Sequence, residues 1–130
     1  MSNNSGHFYQ ECFSKAGEDE LSASVIIKEG GAPGTACFLA QQIAEKYLKG
    51  LLTAAGQRFP KIHDLIELEK LVSLKFPEVS ELDEDFKILN RYYTETRYPG
   101  DYPEFSLEDA REAFVAAQKI KTFVLDQIKK

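Results

Sequence analysis

Arg58 and His63 stand in the stretch GQRFPKIHDL at the interval R-x4-H, a spacing that a metal-free ribonuclease could use. An imidazole can take the proton of an RNA 2′-hydroxyl or return one to the leaving oxygen. A guanidinium can stabilise the charge that builds on the phosphorane. Pro60 lies between the two, so they sit on a bent loop and not on one face of a helix. The plainer reading is that His63 precedes a helix cap at Asp64 and packs or hydrogen-bonds at the helix start. Asp64 with Glu67 forms a capping-box-like D-x-x-E, which makes Asp64 a cap before it is a catalytic carboxylate.

Two further groups carry possible phosphate chemistry. Lys46, Lys49, Arg58 and Lys61 gather basic charge near His63. A lysine pair at i,i+3 is ordinarily a solvated face. In an acidic chain, though, such an end can concentrate an anion. Arg91 and Arg97 stand among Tyr92, Tyr93, Tyr98 and Tyr102, and aromatics beside arginines can stack bases and grip phosphates. The structural alternative places Tyr93 in the core, pairs Arg91 with Glu95, and packs the tyrosines under a loop. Cys12 and Cys37 lack metal-type spacing. No glycine-rich phosphate loop, Ser/His/Asp triad or metal cluster is evident, and no cofactor is expected.

The elements that must position these residues are helical throughout, because apolar residues recur at helical and not alternating spacing. A first helix is expected over Ser5–Glu29, with Tyr9, Cys12, Phe13, Ala16, Ala23, Ile26 and Ile27 inward. The segment GGAPGT breaks the chain, and Thr35 is the expected N-cap of a second helix over Ala36–Ala55. Its apolar stripe is the widest, so it should lie centrally, with Leu39, Ile43, Tyr47 and Leu51 buried. Gly56 suits a left-handed C-terminal position and Pro60 prevents continuation. A third helix follows Asp64 with Leu65, Leu68, Leu71 and Val72 on its apolar face. Ser80 with Asp83 marks a fourth start, carrying Leu82, Phe86, Leu89 and Tyr93 until Pro99 drives Tyr98 from helical geometry. Ser106 caps a fifth helix with Leu107, Ala110, Phe114, Ala117, Val124 and Ile128 inward.

A chain of 130 residues with 43 % apolar and 28 % charged residues fits one globular domain, residues 1–130. The net charge of −5 argues against a general nucleic-acid footprint, so any phosphate contact must be local. No membrane span and no signal peptide are expected, and the cytoplasm is the expected compartment.

Three segments, in order and spacing, carry a resemblance: ACFLAQQIAEKYLKGLL (36–52), HDL (63–65) and TRYPG (96–100). Together they resemble the HEPN domain, the higher eukaryotes and prokaryotes nucleotide-binding family. The match runs from about Ala16 to the C-terminus, and Gln-Gln-x-x-Glu-Lys-x-x-Lys is its most specific part. The resemblance implies an all-α, five-helix antiparallel up-and-down bundle that forms a homodimer. It also implies nucleotide or RNA binding, often beside a small nucleotidyltransferase partner encoded as a separate chain, as in toxin–antitoxin pairs.

Many HEPN proteins are ribonucleases that carry R-x4-6-H on a late helix and its preceding loop. Here no histidine follows His63, so that motif is absent from its usual place. The expected function is therefore a non-catalytic module that binds a nucleotide or RNA phosphate, or a nucleotidyltransferase partner, at Arg58, Lys61, His63, Arg97 and Tyr98. The alternatives are a metal-independent RNase that uses Arg58 and His63, and a purely structural dimer.

Overall fold

The protein's structure, a computed structural model, describes residues 4–95 and 104–130, with side chains over 8–92 and 104–130. Helices α1 (Asn4–Glu29), α2 (Pro33–Ala54), α3 (Leu65–Ser73), α4 (Asp83–Glu95) and α5 (Leu107–Lys129) form an up-and-down bundle, with a short 3-10 helix, Pro77–Leu82, before α4. Helix α2 packs against α1, α3, α4 and α5, and so occupies the centre. Its wide stripe is the reason. Ala36, Cys37, Ala40, Ile43, Ala44, Tyr47, Leu48, Leu51 and Leu52 are all buried, whereas Leu39 is only partly so. Each fully buried Leu or Ile there contributes on the order of 2 kcal/mol of transfer free energy.

Close helix contact has a local cause at Gly50. A Cβ built there would lie 2.6 Å from Cε1 of Phe13, so the missing side chain lets α1 approach α2. Helix α2 ends as its sequence predicts. Gly56 adopts φ +88°, Gln57 N–H donates to Leu52 O at 2.9 Å, and Gly56 N–H donates to Thr53 O at 3.0 Å. This is the Schellman arrangement that glycine permits. The chain thereby turns back and runs as residues 57–64 towards α3.

Other boundaries differ from expectation. Thr35 does not cap α2; the helix starts earlier, with Ala32 at the N-cap, no side-chain cap bond, and Pro33 in its first turn. Proline supplies a helix-compatible φ and lacks the N–H that a cap would satisfy. The reciprocal capping box expected at Asp64 and Glu67 forms instead at Ser106 and Asp109; Asp64 makes only the accepting half. Ser80 does not open α4, because its hydroxyl donates back to Pro77 O at 3.1 Å within the 3-10 helix. On α4, Phe86, Leu89 and Tyr92 are buried. The expectations for the Tyr93 side chain, and for Arg91 paired with Glu95, fall outside the described side chains.

Candidate functional site

Gln41, Glu45 and Lys49 recur every fourth residue on α2, so they form one stripe along the helix. All three are buried, at 0 %, 5 % and 4 % relative exposure. Charged groups survive such burial only when paired and hydrogen-bonded. Lys49 Nζ lies 2.9 Å from Glu45 Oε2, and Gln41 Nε2 donates to Glu45 Oε1 at 3.3 Å. The Gln41 amide also donates to the backbone carbonyl of His63 at 3.3 Å, and its own carbonyl accepts from Gln42 Nε2 at 2.9 Å. Over Lys49 sits the ring of Phe59, 5.2 Å from Nζ, itself in edge contact with Phe8.

His63 closes this network from the loop. Its Nδ1 lies 2.8 Å from Glu45 Oε2, while 58 % of its side chain remains exposed. A carboxylate ion-paired with Lys49 can only accept, so Nδ1 carries the proton, and among the described residues Nε2 has no partner. Gln41 holds the His63 backbone and Glu45 holds its ring, which fixes the imidazole at both ends. Arg58 and Lys61, on the same segment, are exposed.

The helix end beside His63 is not open to a ligand. Leu65 N–H donates to Asn90 Oδ1 at 3.1 Å, Ile66 N–H to Asp64 Oδ1 at 2.8 Å, and Glu67 N–H to the same oxygen at 3.2 Å. The leading amides of α3 are thus taken by protein acceptors. A phosphate here must be held by side chains.

The basic cluster read from sequence also thins. Lys46 Nζ pairs with Asp19 at 2.6 Å, and Lys49 is buried against Glu45, so neither is a loose surface cation. Arg91 lies 3.5 Å from Glu112 and 3.2 Å from the Tyr92 hydroxyl. Arg97 and Tyr98 lie outside the described residues. Of the five candidate ligand-binding residues, Arg58, Lys61 and His63 therefore share one exposed segment. The sequence reading missed Gln41 and Glu45, although a polar residue at every fourth place in an apolar helix was a usable signal.

Other chemistries find little support. Burial pushes the Cys37 thiol up to about 12, with Asp109 adding to the effect, which leaves it an inert core residue. Burial and the neighbouring Glu20 push the Tyr47 phenol up, so it stays protonated and donates to Glu20 Oε1 at 3.0 Å. Among the described residues no group of His, Cys, Asp and Glu could hold a metal, and no helix is long and apolar enough to cross a membrane.

The HEPN domain family model matches residues 9–128. The chain belongs to the HEPN family. Two solved structures resemble it along nearly their whole length. TT1696 from Thermus thermophilus is 32 % identical, with a TM-score of 0.76, covering 97 % of this chain and 98 % of that one. ST0689, described as an archaeal HEPN homologue, is 30 % identical with a TM-score of 0.74, covering 92 % and 97 %. No curated protein matches the chain. In this HEPN bundle the most family-like segment, Gln-Gln-x-x-Glu-Lys-x-x-Lys, is the one whose Gln41, Glu45 and Lys49 anchor His63.

Proposed function

We propose that this HEPN protein is a non-catalytic module that binds the phosphate of a nucleotide or RNA through Arg58, Lys61 and His63. One observation carries the reading: a buried carboxylate holds His63 Nδ1 at 2.8 Å while most of the ring faces solvent. Exposed Arg58 and Lys61 on the same segment can make charge-assisted hydrogen bonds to phosphate, and the held imidazole joins them with little ordering cost. Arg97 and Tyr98, outside the described residues, are proposed to add phosphate and base contacts. His63→Ala should weaken RNA binding by roughly 1–3 kcal/mol per charge-assisted bond lost. Equal affinity of wild type and variant in fluorescence anisotropy would remove His63 from the site.

A second reading is favoured by the same contact. A histidine backed by a carboxylate, with Nε2 free to accept, has the form of a general base. Arg58 and His63 would then act as a metal-independent RNase. RNA cleavage in EDTA by the wild type, lost in His63→Ala, would establish this reading over the first.

We also propose that the chain forms a homodimer, the assembly expected of the family. An open groove lined by Leu82, Phe114, Val115 and Phe123 leaves apolar surface that a second copy would cover in a homodimer. A nucleotidyltransferase encoded nearby would make the pair a cytoplasmic toxin–antitoxin system. Sedimentation showing only monomer at micromolar concentration would remove the homodimer.

A further inference from the structure

Pro60 shapes the residue before it. A residue that precedes proline is pushed into extended backbone, so Phe59 does not enter a helical turn. In extended chain, alternate side chains share one side. Exposure follows that period over residues 59–64: Phe59, Lys61 and His63 are exposed, whereas Pro60, Ile62 and Asp64 are half-buried. Ile62 packs against the core, and Arg58, one residue before the ring, is exposed. An apolar ring therefore stands on the same exposed edge as a guanidinium, an ammonium and an imidazole.

From this placement we infer that Phe59 is a stacking platform for an unpaired nucleobase, so that the site takes nucleotides and single-stranded RNA over duplex RNA or a sugar phosphate without a base. The inference rests on the phosphate-binding reading and adds how the base is recognised. Phe59 is 43 % exposed, and its neighbour Phe8 is 37 % exposed. The two rings meet edge-on with centroids 4.9 Å apart, and Lys49 Nζ lies 5.2 Å from the Phe59 centroid. Contacts from α1 and α2 thus hold the ring in place, and little ordering is left for a ligand to impose. Covering Lys49 does not account for the whole ring. The lysine is only 4 % exposed while that much of Phe59 still faces water.

Exposed aromatic surface is unfavourable in water, and a flat apolar ligand removes it. A nucleobase is such a ligand, and it carries a phosphate a few bonds away. Arg58 and Lys61, one and two residues from the ring, are placed for that phosphate. Stacking on an aromatic side chain tolerates any base, because every base has a π-face. Bases within a duplex cover their faces with their neighbours, so only an unpaired base can reach Phe59. Phosphate contact alone gives the opposite order, since a duplex carries more charge per unit length than a single strand.

The test compares adenosine 5′-monophosphate with ribose 5-phosphate, and a single-stranded RNA with the same strand annealed to its complement, all on the full chain by calorimetry. The mononucleotide should bind about fivefold or more tightly than the sugar phosphate, the gain expected of one base–aromatic stack. The single strand should bind more tightly than the duplex. Phe59→Leu, which keeps apolar cover over Lys49, should remove both preferences and leave ribose 5-phosphate affinity unchanged. Phe59→Trp should retain them. The chain has no other tryptophan, so the fluorescence of that variant reports on position 59 alone, and it should be quenched by the mononucleotide and not by the sugar phosphate. Equal binding of the mononucleotide and the sugar phosphate, preferences that survive Phe59→Leu, or an equal loss on all ligands in that variant would overturn the inference and leave general phosphate binding standing. Failure of every RNA and phosphate ligand to bind the wild type would remove the underlying reading as well.

Discussion

Lys49→Met probes the buried stripe directly. Met matches the length of the lysine stem closely, so the substitution removes a charge without opening a large cavity. Lys49 and Glu45 are only 4 % and 5 % exposed, and removing one partner of a buried ion pair usually costs about 3–5 kcal/mol. Loss of the ammonium above Phe59 adds on the order of 0.5–2 kcal/mol. Against this, Glu45 keeps Gln41 at 3.3 Å and His63 at 2.8 Å, so its charge is not left bare and the loss falls at the low end of that range. The expected net loss is about 3 kcal/mol, or roughly 10 °C in Tm for a domain of this size. Urea unfolding followed by circular dichroism measures it, with the m-value checking that the unfolded state is unchanged. A loss below about 1 kcal/mol would show that Glu45 is not a buried charge dependent on Lys49, and the argument for the His63 tautomer would fall with it.

Glu69 is buried, and that burial, with Asp83 beside it, pushes its carboxyl up to about 7. A folded-state value above the ordinary 4.5 means that its contribution is fully present below about 4.5 and lost as pH rises through about 7. Glu69→Gln should therefore stabilise the protein at pH 8 by about 2 kcal/mol and lose that advantage near pH 4, in urea titrations at both values. Leu51→Ala removes a buried side chain of α2 and should cost about 2–5 kcal/mol, read as a lower urea midpoint. Gly50→Ala sets a methyl against Phe13 and should cost about 1–3 kcal/mol in thermal melts, despite alanine's better helix propensity.

The amino-acid sequence by itself determined the helices and which faces they bury. Apolar spacing named Ile43, Tyr47 and Leu51 as core, and all are buried; it placed Asp64 and Ser106 as caps, and both accept backbone amides. These features are legible because they depend on neighbours within a turn or two, where helix geometry dictates who meets whom. Where two local signals competed, the reading went astray, as when Pro33 and not Thr35 set the start of α2. The site was less legible. Lys49 reads as a surface cation along the chain, and only the return of residues 57–64 over α2 buries it beneath Phe59 and brings His63 to Glu45. Likewise, Asn90 closes the amide of Leu65 from a different helix. The tautomer and the accessible atom of His63 depend on contacts between distant segments. Those contacts exist only once the bundle is packed, because burial is what makes each polar group require a particular partner.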